Sequence, residues 1–520
     1  MSKATFITTV AILLLSSAFL ADDIGGANAE RPHKETFTNP VIMADVPDVD
    51  VIRVGKDYYM VSTTAHMSPG APIMHSTDLV NWEIISYVFD TIDESPANNL
   101  EGGNIYSRGQ WAASLRYHDG MFYVFFGTGN KSYIYTTSDP YGKWEKKLVI
   151  DEYLHDASML FDTDGRIYLA YGARDIRIIE FKKDLSGIDK SGLNVQIINS
   201  NPPGLLEGVH FYKFGDMYYL TFIWWPEGGI RTQICFRSPY VAGPYDEMKV
   251  ILQDDLGYPG HGVAQGCFID TATDDNWYAM LFQDHEAVGR VPVLMPLRWI
   301  DGWPMLGDAD GKVPKTMEYP LPDSGKRTAL AVSDDFDTGR LGLNWQWNHN
   351  PDNSCWSLTE RPGYMRLKTG KTVNSIFEAR NTLTQRTEAP YCSGTVSMDL
   401  SGMLDGDRTG LAAWCSEPGT ISVVMENGKK YVTMTDREKE IAREEYDGDR
   451  IFLRMDCMFG DDDAIFHYSS DGRSWKPLGE KFHMVFNMAH FTGNKFAVFY
   501  YATRTVGGHV DIDFFRYSKQ

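Results

Sequence analysis

The stretch Val51-Ile-Arg-Val-Gly-Lys-Asp-Tyr-Tyr-Met-Val61 joins an apolar strand to an aromatic strand through a turn at Gly55. The pattern recurs further along the chain, at Leu115–Phe126, Met159–Tyr171, His210–Thr221 and, more loosely, Gly266–Phe282. The turns follow one another at about 45–65 residues, which is the length of a four-stranded propeller blade with its loops.

Most of these hairpins are followed by a second pair of strands with its own turn, most clearly at Ile73–Trp82 and Ile134–Trp144. Two hairpins in each of five units predict an all-β fold, a five-bladed β-propeller over residues 30–320. The repeat stops at a linker marked by Pro320, Pro322 and Gly325. Short alternating segments with Gly and Asp turns then predict a β-sandwich over residues 332–520.

The composition agrees with an all-β globular protein and excludes one class of partner. Aromatic residues make up 13% of the chain, and 47 glycines are available for turns. The net charge of −21 argues against nucleic acid, because binding phosphates requires clustered Lys and Arg. A neutral sugar fits such a surface better. The six cysteines lack CxxC spacing, and we expect buried, small apolar side chains with at most one disulfide.

The N-terminus has the layout of a secretory signal peptide. Lys3 supplies the positive charge, Phe6–Leu20 is an apolar run, and Ala27-Asn28-Ala29 is a small-x-small cleavage site. The run is too short to span a membrane. We therefore predict a signal peptide at residues 1–29 and an exported protein, periplasmic or extracellular.

Three acidic residues occupy similar positions in three of the repeated units, shortly before the turn glycine of the inner hairpin. The distance to the following turn glycine is seven residues for Asp48, nine for Asp156 and eight for Glu207. Because the inner strands of a propeller begin at one face, these side chains are expected to converge on the central funnel. The same alignment places Trp111 on blade two and His261 before the fifth hairpin. The alternative is that the acids are ordinary turn carboxylates, in a chain with 70 acidic residues.

Carboxylates that converge in a pocket large enough for a sugar are typical of glycosidase active sites. A protonated acid donates its proton to the leaving oxygen, and an ionised carboxylate on the other side activates water. A third acid nearby keeps the proton donor protonated through like-charge repulsion.

The motifs around the three acids resemble those of glycoside hydrolase family 43. The matching segments are Asn39–Tyr59, His155–Gly165, Glu207–Lys213, Gly289-Arg290 and Gly302–Pro304. The tail, from Asp334 through Trp356 to Gly363, looks like the concanavalin-like sandwich that follows the propeller in β-xylosidase-like members. The resemblance covers nearly all of the chain after the signal peptide.

The resemblance implies a role for each matching position. Asp48 would be the general base and Glu207 the general acid, with Asp156 raising the pKa of Glu207 and orienting it. Arg290 would bind sugar hydroxyls and Trp111 would wall the glycone pocket. His261 looks like the family histidine near the funnel centre, which sometimes lies beside a hydrated calcium; a core imidazole is the alternative.

The loop after the first inner hairpin departs from the family pattern. It contains Ala65, His66 and Met67 where typical β-xylosidases of the family have aromatic residues. His66 could hydrogen-bond the sugar there, and a plain loop histidine is the alternative. The departure leaves open which pentose is bound.

The function predicted from these features is that of an exo-acting, inverting glycosidase. It would release terminal α-L-arabinofuranose or β-D-xylose from oligosaccharides or plant polysaccharide side chains of the hemicellulose or arabinan type. The alternatives are an endo-arabinanase and a carbohydrate-binding propeller without catalysis.

The expected partners and ions follow from the same interpretation. We expect neither nucleic acid nor a membrane as partner, and no cofactor is required for the chemistry. A structural calcium is conceivable at Asp335 and Asp513, because the first and last strands of such a sandwich can meet and oxygen ligands suit this ion.

Overall fold

A computed structural model describes residues 35–92, 94–199, 202–272, 276–327 and 329–519. In it, five four-stranded antiparallel sheets form the N-terminal part of the protein. The predicted signal peptide lies outside these residues. Each sheet contains four strands in sequence order: β2 Asp50–Val54, β3 Asp57–Val61, β5 Gly70–Ser76 and β6 Glu83–Phe89; β7 Ala113–His118, β8 Met121–Thr128, β9 Lys131–Thr137 and β10 Glu145–Ile150; β11 Ser158–Phe161, β12 Ile167–Tyr171, β13 Asp175–Phe181 and β14 Asn194–Asn199; β15 Leu205–Phe214, β16 Met217–Trp225, β17 Thr232–Ser238 and β18 Met248–Leu252; β19 Ala264–Asp270, β20 Trp277–Asp284, β21 Arg290–Ile300 and β22 Trp303–Leu306.

The first strands of these sheets contact one another in a closed ring, in the order β2, β7, β11, β15, β19 and back to β2. The prediction of a five-bladed propeller is therefore confirmed. The blades pack through buried aromatic and branched side chains, as the repeated motif requires. Because all five inner strands begin at the same face, the residues just before them surround one funnel.

The beginning of the described chain is fixed to the fifth blade. Strand β1 (Thr36–Thr38) pairs antiparallel with β23 (Thr316–Glu318). The Asn39 amide donates to the carbonyl oxygens of Leu294 and Pro314, and its oxygen accepts from the backbone N–H of Leu294. These contacts hold the segment that leads to Asp48.

The C-terminal part is a sandwich of two antiparallel sheets around one apolar core, as predicted. Its strands are β24 Gln346–Asn348, β25 Trp356–Ser357, β26 Met365–Lys368, β27 Leu383–Arg386, β28 Tyr391–Asp399, β29 Asp407–Trp414, β30 Gly419–Glu426, β31 Lys429–Asp436, β32 Lys439–Tyr446, β33 Arg450–Met458, β34 Asp463–Ser469, β35 Lys476–Pro477, β36 Phe482–His483, β37 Lys495–Ala502 and β38 His509–Lys519. Helical structure in the described residues is limited to three 3-10 turns, Pro96–Asn99, Glu286–Val288 and Ile376–Glu378.

One sheet of the sandwich extends into the propeller. Strand β4 (Met67–Ser68), in the loop after β3, pairs antiparallel with β24 and forms the edge of the sandwich sheet. The Ser68 hydroxyl also donates to Asn350 Oδ1, at 3.0 Å. Propeller and sandwich are therefore joined by a shared sheet as well as by side-chain packing.

The cysteines occur as the sequence indicates. All six are free thiols, and five are buried, with Cys355 partly exposed.

Within the described residues, no helix is long and apolar enough to cross a membrane.

Candidate active site

The structure brings the three predicted acids together at the funnel end of three blades. Asp48 precedes β2, Asp156 precedes β11, and Glu207 lies near the start of β15. The backbone of both aspartates is left-handed, with φ of 54° for Asp48 and 45° for Asp156. Such backbone conformations are uncommon outside glycine, and they cluster at functional sites.

Asp48 is held by three donors. Its Oδ1 accepts from Arg290 NH1 at 2.8 Å and from Gln265 Nε2 at 3.2 Å, and its Oδ2 accepts from the Thr63 hydroxyl at 2.6 Å. Asp48 is 5% exposed and Arg290 is 2% exposed, so their ion pair is almost fully removed from water. These three donors hold the carboxylate of Asp48 in one orientation.

Asp156 is positioned by the chain next to Glu207. Its Oδ2 accepts the backbone N–H of Gly208 at 2.9 Å. Gly208 has a φ of +67°, and a Cβ there would lie 2.6 Å from the side chain of Gln265, so only glycine fits. Burial and the negative charges of Glu207 and Asp48 raise the pKa of Asp156, although His155 acts in the opposite direction.

His155 lies between two of the acids, although sequence reasoning assigned it no role. Its Nε2 is 3.3 Å from Glu207 Oε2 and 3.5 Å from Asp156 Oδ2. Burial lowers the pKa of the imidazole, but Asp156, Glu207 and Asp48 outweigh it and raise the pKa to about 9. His155 is therefore a cation at neutral pH. The position before Asp156 was visible in the sequence, but nothing there indicated that its ring turns towards the acids.

Substituting His155 with glutamine is expected to move the alkaline limb of the kcat/KM profile to higher pH, by about one unit, because His155 contacts Glu207, the predicted proton donor. The imidazolium favours ionised neighbours, so its removal lets the carboxylates take up protons at a higher pH. Glutamine keeps a hydrogen-bond donor and removes the charge. The profile should be measured on an aryl glycoside for both proteins. A lower rate with an unmoved limb would contradict the electrostatic role.

The sandwich contributes to the wall of the funnel. The Phe491 ring lies 4.2 Å from the guanidinium carbon of Arg290, and its ring centroid is 5.6 Å from that of Trp111. Arg290 and Trp111, both predicted from the sequence, therefore meet at a residue that sequence reasoning missed. Phe491 is 201 positions beyond Arg290, and no local pattern marks it.

The prediction that His66 hydrogen-bonds the sugar is wrong in this structure. The side chain is 1% exposed and packs against Tyr106 of the propeller and His349 and His490 of the sandwich, with ring centroids 4.7, 5.3 and 5.0 Å away. The pairing of β4 with β24 draws this loop into the domain interface. His66 therefore belongs to the interface and is not accessible to a substrate.

The buried imidazoles at this interface predict a loss of stability in acid. Burial lowers the pKa of His349 and of His490 to about 3, whereas an unfolded histidine titrates near 6.5. Only the unfolded state takes up protons between these values, so the free energy of unfolding falls as pH drops below 6.5. The two residues together should cost about 4 kcal/mol by pH 5, at about 1.4 kcal/mol per unit each.

Denaturant unfolding at several pH values between 6.5 and 5 measures this effect. The variant His490→Gln should show a shallower fall in the free energy of unfolding than the wild type, whatever its absolute stability. Burial also lowers the pKa of Lys495 to about 7, so its contribution changes mainly above this window. Equal slopes for the two proteins would refute the assignment to His490.

His261 has contacts with residues other than the three acids. Its Nε2 is 3.2 Å from Glu286 Oε1, and its ring lies 4.7 Å from that of Tyr258. Gln265, four residues later, occupies the position beside Asp48 instead. A sugar or calcium contact of His261 stays a prediction.

The two aspartates predicted to hold calcium in the sandwich have separate partners. Asp335 forms an ion pair with Arg516, and Asp513 forms one with Arg450. Among the described residues, one group of three or more His, Cys, Asp or Glu side chains lies close enough together to hold a metal ion. It consists of His155, Asp156 and Glu207 and does not include Asp335 or Asp513. The contacts of Asp335 and Asp513 therefore do not fit a shared cation.

Comparison with known proteins identifies both parts of the chain. A model described as "Glycosyl hydrolases family 43" matches residues 37–304, and one described as "Beta xylosidase C-terminal Concanavalin A-like domain" matches residues 333–518. A β-xylosidase of Formosa agariphila is 31% identical over 93% of this chain and 90% of its own. A non-reducing end α-L-arabinofuranosidase of Bacteroides ovatus is 32% identical over 73% of each chain.

Solved structures agree with these relatives. A bifunctional "GH43-CE" protein of Bacteroides eggerthii is 42% identical, with a TM-score of 0.87 over 94% of this chain. The match covers 64% of that longer chain. A GH43 enzyme whose engineered active site displays both endo-xylanase and exo-arabinofuranosidase activity is 29% identical, with a TM-score of 0.86 over 94% of this chain and 100% of its own. The concanavalin-like sandwich predicted from the sequence is confirmed.

Proposed function

The chain belongs to glycosyl hydrolase family 43, and from this premise we propose that it is an exo-acting pentosidase that works with inversion. It releases terminal α-L-arabinofuranose or β-D-xylose from oligosaccharides or polysaccharides. The observation that carries the proposal is the set of three carboxylates, Asp48, Asp156 and Glu207, that three blades direct into one funnel beside Arg290.

The exo assignment is supported by the closed side of the funnel. Phe491 of the sandwich packs over Arg290 and against Trp111. An endo-acting enzyme needs a cleft open at both ends so that a polymer can pass through. A wall contributed by a second domain favours a pocket that accepts a chain end.

In the mechanism we propose, Asp48 is the general base. Its contacts with Arg290, Gln265 and Thr63 hold the carboxylate in one orientation, from which it removes a proton from water. The water attacks the anomeric carbon on the face opposite the leaving group, so the configuration inverts.

Glu207 is the proposed general acid, which donates its proton to the leaving oxygen. Its side chain is 25% exposed, and His155 lies against its carboxyl. Asp156 is the proposed positioning residue, because it binds the backbone N–H directly after Glu207. His155 balances part of the negative charge of the three carboxylates.

The experiment compares 4-nitrophenyl α-L-arabinofuranoside with 4-nitrophenyl β-D-xyloside and follows the anomeric signals of the first product by NMR. We expect one free pentose, formed initially with the configuration opposite to that of the substrate. Retention would overturn the inverting mechanism. If the protein digests a polymer to a mixture of longer oligosaccharides, the endo-arabinanase alternative is indicated. Binding of the sugar without hydrolysis would indicate a non-catalytic propeller.

We further propose that the natural substrate is of the hemicellulose or arabinan type and that the protein is exported. The signal peptide predicted at residues 1–29 supports export. Expression of the full-length gene, followed by mass determination of the product outside the cytoplasm, tests both the cleavage after Ala29 and the export.

A further inference from the structure

A large exposed aromatic residue stands at the funnel end of the fourth blade. Trp225, the last residue of β16, is 41% exposed. In the ladder between β15 and β16, Glu207 faces Ile223 and Leu205 faces Trp225. Ile223 pairs with Glu207, the proposed general acid, and Trp225 lies two residues beyond Ile223 on the same strand, a distance of about 7 Å.

The indole of Trp225 is supported from inside the protein by a buried arginine. The guanidinium carbon of Arg231, a residue that is 4% exposed, lies 5.2 Å from the Trp225 ring centroid. Arg231 NH2 is fixed by Asp284 Oδ2 at 3.0 Å. A desolvated cation–π contact of this kind is among the stronger ones. It holds the indole while much of that side chain still faces solvent.

This contact is the outer end of a column that reaches the catalytic base. Arg231 and Arg290 lie on the Phe282 ring, at 5.1 and 5.4 Å from its centroid. Arg290 in turn contacts Phe491 at 4.2 Å and donates to Asp48. Rings and guanidinium groups thus alternate from the solvent to the acids, and Trp225 lies at the outer end of this column.

We propose that Trp225 is the platform on which the leaving-group sugar stacks, and that this sugar is a neutral pyranose. This inference rests on the proposed function, because it assumes that Glu207 protonates the leaving oxygen. The sugar that carries this oxygen must lie beside Glu207 and extend away from the pocket that holds the terminal pentose. Trp225 stands at that end of the same blade.

The chemistry of the platform favours a pyranose unit of a xylan-type chain. One face of a pyranose in its chair form presents mainly C–H groups, and an indole offers a flat apolar surface with negative π density. A puckered furanose has no comparable flat face. The stack needs no charged partner, in agreement with a neutral polymer.

The test is the variant Trp225→Ala, with Tyr240→Ala as its matched control. Tyr240 is 67% exposed and belongs to the same blade, but it follows Ser238 at the end far from the funnel. The substrates are an oligosaccharide in which the terminal pentose is linked to xylopyranose, and the glycosyl fluoride of the same pentose. The fluoride has no sugar as leaving group.

We expect Trp225→Ala to lower kcat/KM on the oligosaccharide about tenfold, an ordinary size for the loss of an aromatic stack. Hydrolysis of the fluoride and inhibition by the free pentose should stay within about twofold of the wild type. Tyr240→Ala should match the wild type on both substrates.

Two results would overturn the proposal. An unchanged kcat/KM on the oligosaccharide would show that the indole does not contact the leaving group, and equal losses on oligosaccharide and fluoride would place its effect in the pentose pocket. Neither result touches the proposed function, which fails separately if the wild type hydrolyses neither substrate. Fluoride turnover by the variant also confirms that it is folded.

Discussion

Substituting Asp48 with asparagine is expected to lower kcat about 10⁴-fold on natural and activated substrates alike, at the upper end of what proton transfer contributes. Asparagine cannot accept the proton of the attacking water, and this step is required whatever the leaving group. The substitution also leaves the buried Arg290 guanidinium without its charge partner. Such a loss destabilises a fold by about 3–5 kcal/mol, so rate and stability must both be measured.

Asp50→Asn provides the matched control. Asp50 lies two residues after Asp48, at the start of β2, is 1% exposed and forms an ion pair with Arg116 NH1 at 2.6 Å. Its neutralisation should also cost stability, because the partly buried Arg116 loses its charge partner. Since Asp50 carries no part of the proposed proton transfer, kcat should fall by less than about tenfold. Equal rate losses in the two variants would indicate that Asp48 acts through the fold and not as the base.

Removal of the Glu207 carboxyl is expected to produce a loss that depends on the leaving group. On an oligosaccharide, Glu207→Ala should lose about 10³–10⁴-fold in kcat, because a sugar alkoxide leaves poorly without a proton. On a dinitrophenyl glycoside the loss should be less than about tenfold, because that phenolate needs little protonation. The measurement is kcat for both proteins across a series of leaving groups of graded acidity.

The comparison between the two variants assigns the acid and the base. Asp48→Asn should shift the whole series by one factor, whereas Glu207→Ala should make the rate depend steeply on leaving-group acidity. A uniform loss for Glu207→Ala would contradict its role as proton donor. A steep dependence for Asp48→Asn would exchange the two assignments.

The sequence predicts the propeller and the convergence of the acids for a simple reason. Both depend on local strand and turn patterns, and a propeller repeats its local geometry in every blade. The glycine turns set the register, so residues in equivalent positions before them face the same funnel. Asp48, Asp156 and Glu207 could therefore be aligned without any knowledge of the tertiary structure.

Other parts of the site depend on contacts between segments that are far apart in the chain. Phe491 reaches Arg290 because two domains pack together, and no periodicity in either segment predicts that packing. His66 was misjudged for the same reason, because its burial comes from the pairing of its loop with β24. His155 begins the matched segment His155–Gly165, but the direction of its ring is a property of packing.

The pairing of β4 with β24 constrains how such proteins diversify. The linker at residues 320–331 looks like a natural point for recombination between related genes. A crossover there would join the propeller of one protein to the sandwich of another. The loop strand β4 would then meet a different β24, and Arg290 a different residue in place of Phe491. The two halves of the gene are therefore expected to be inherited together, and chimaeras that exchange the sandwich should need matching changes in the loop around Met67.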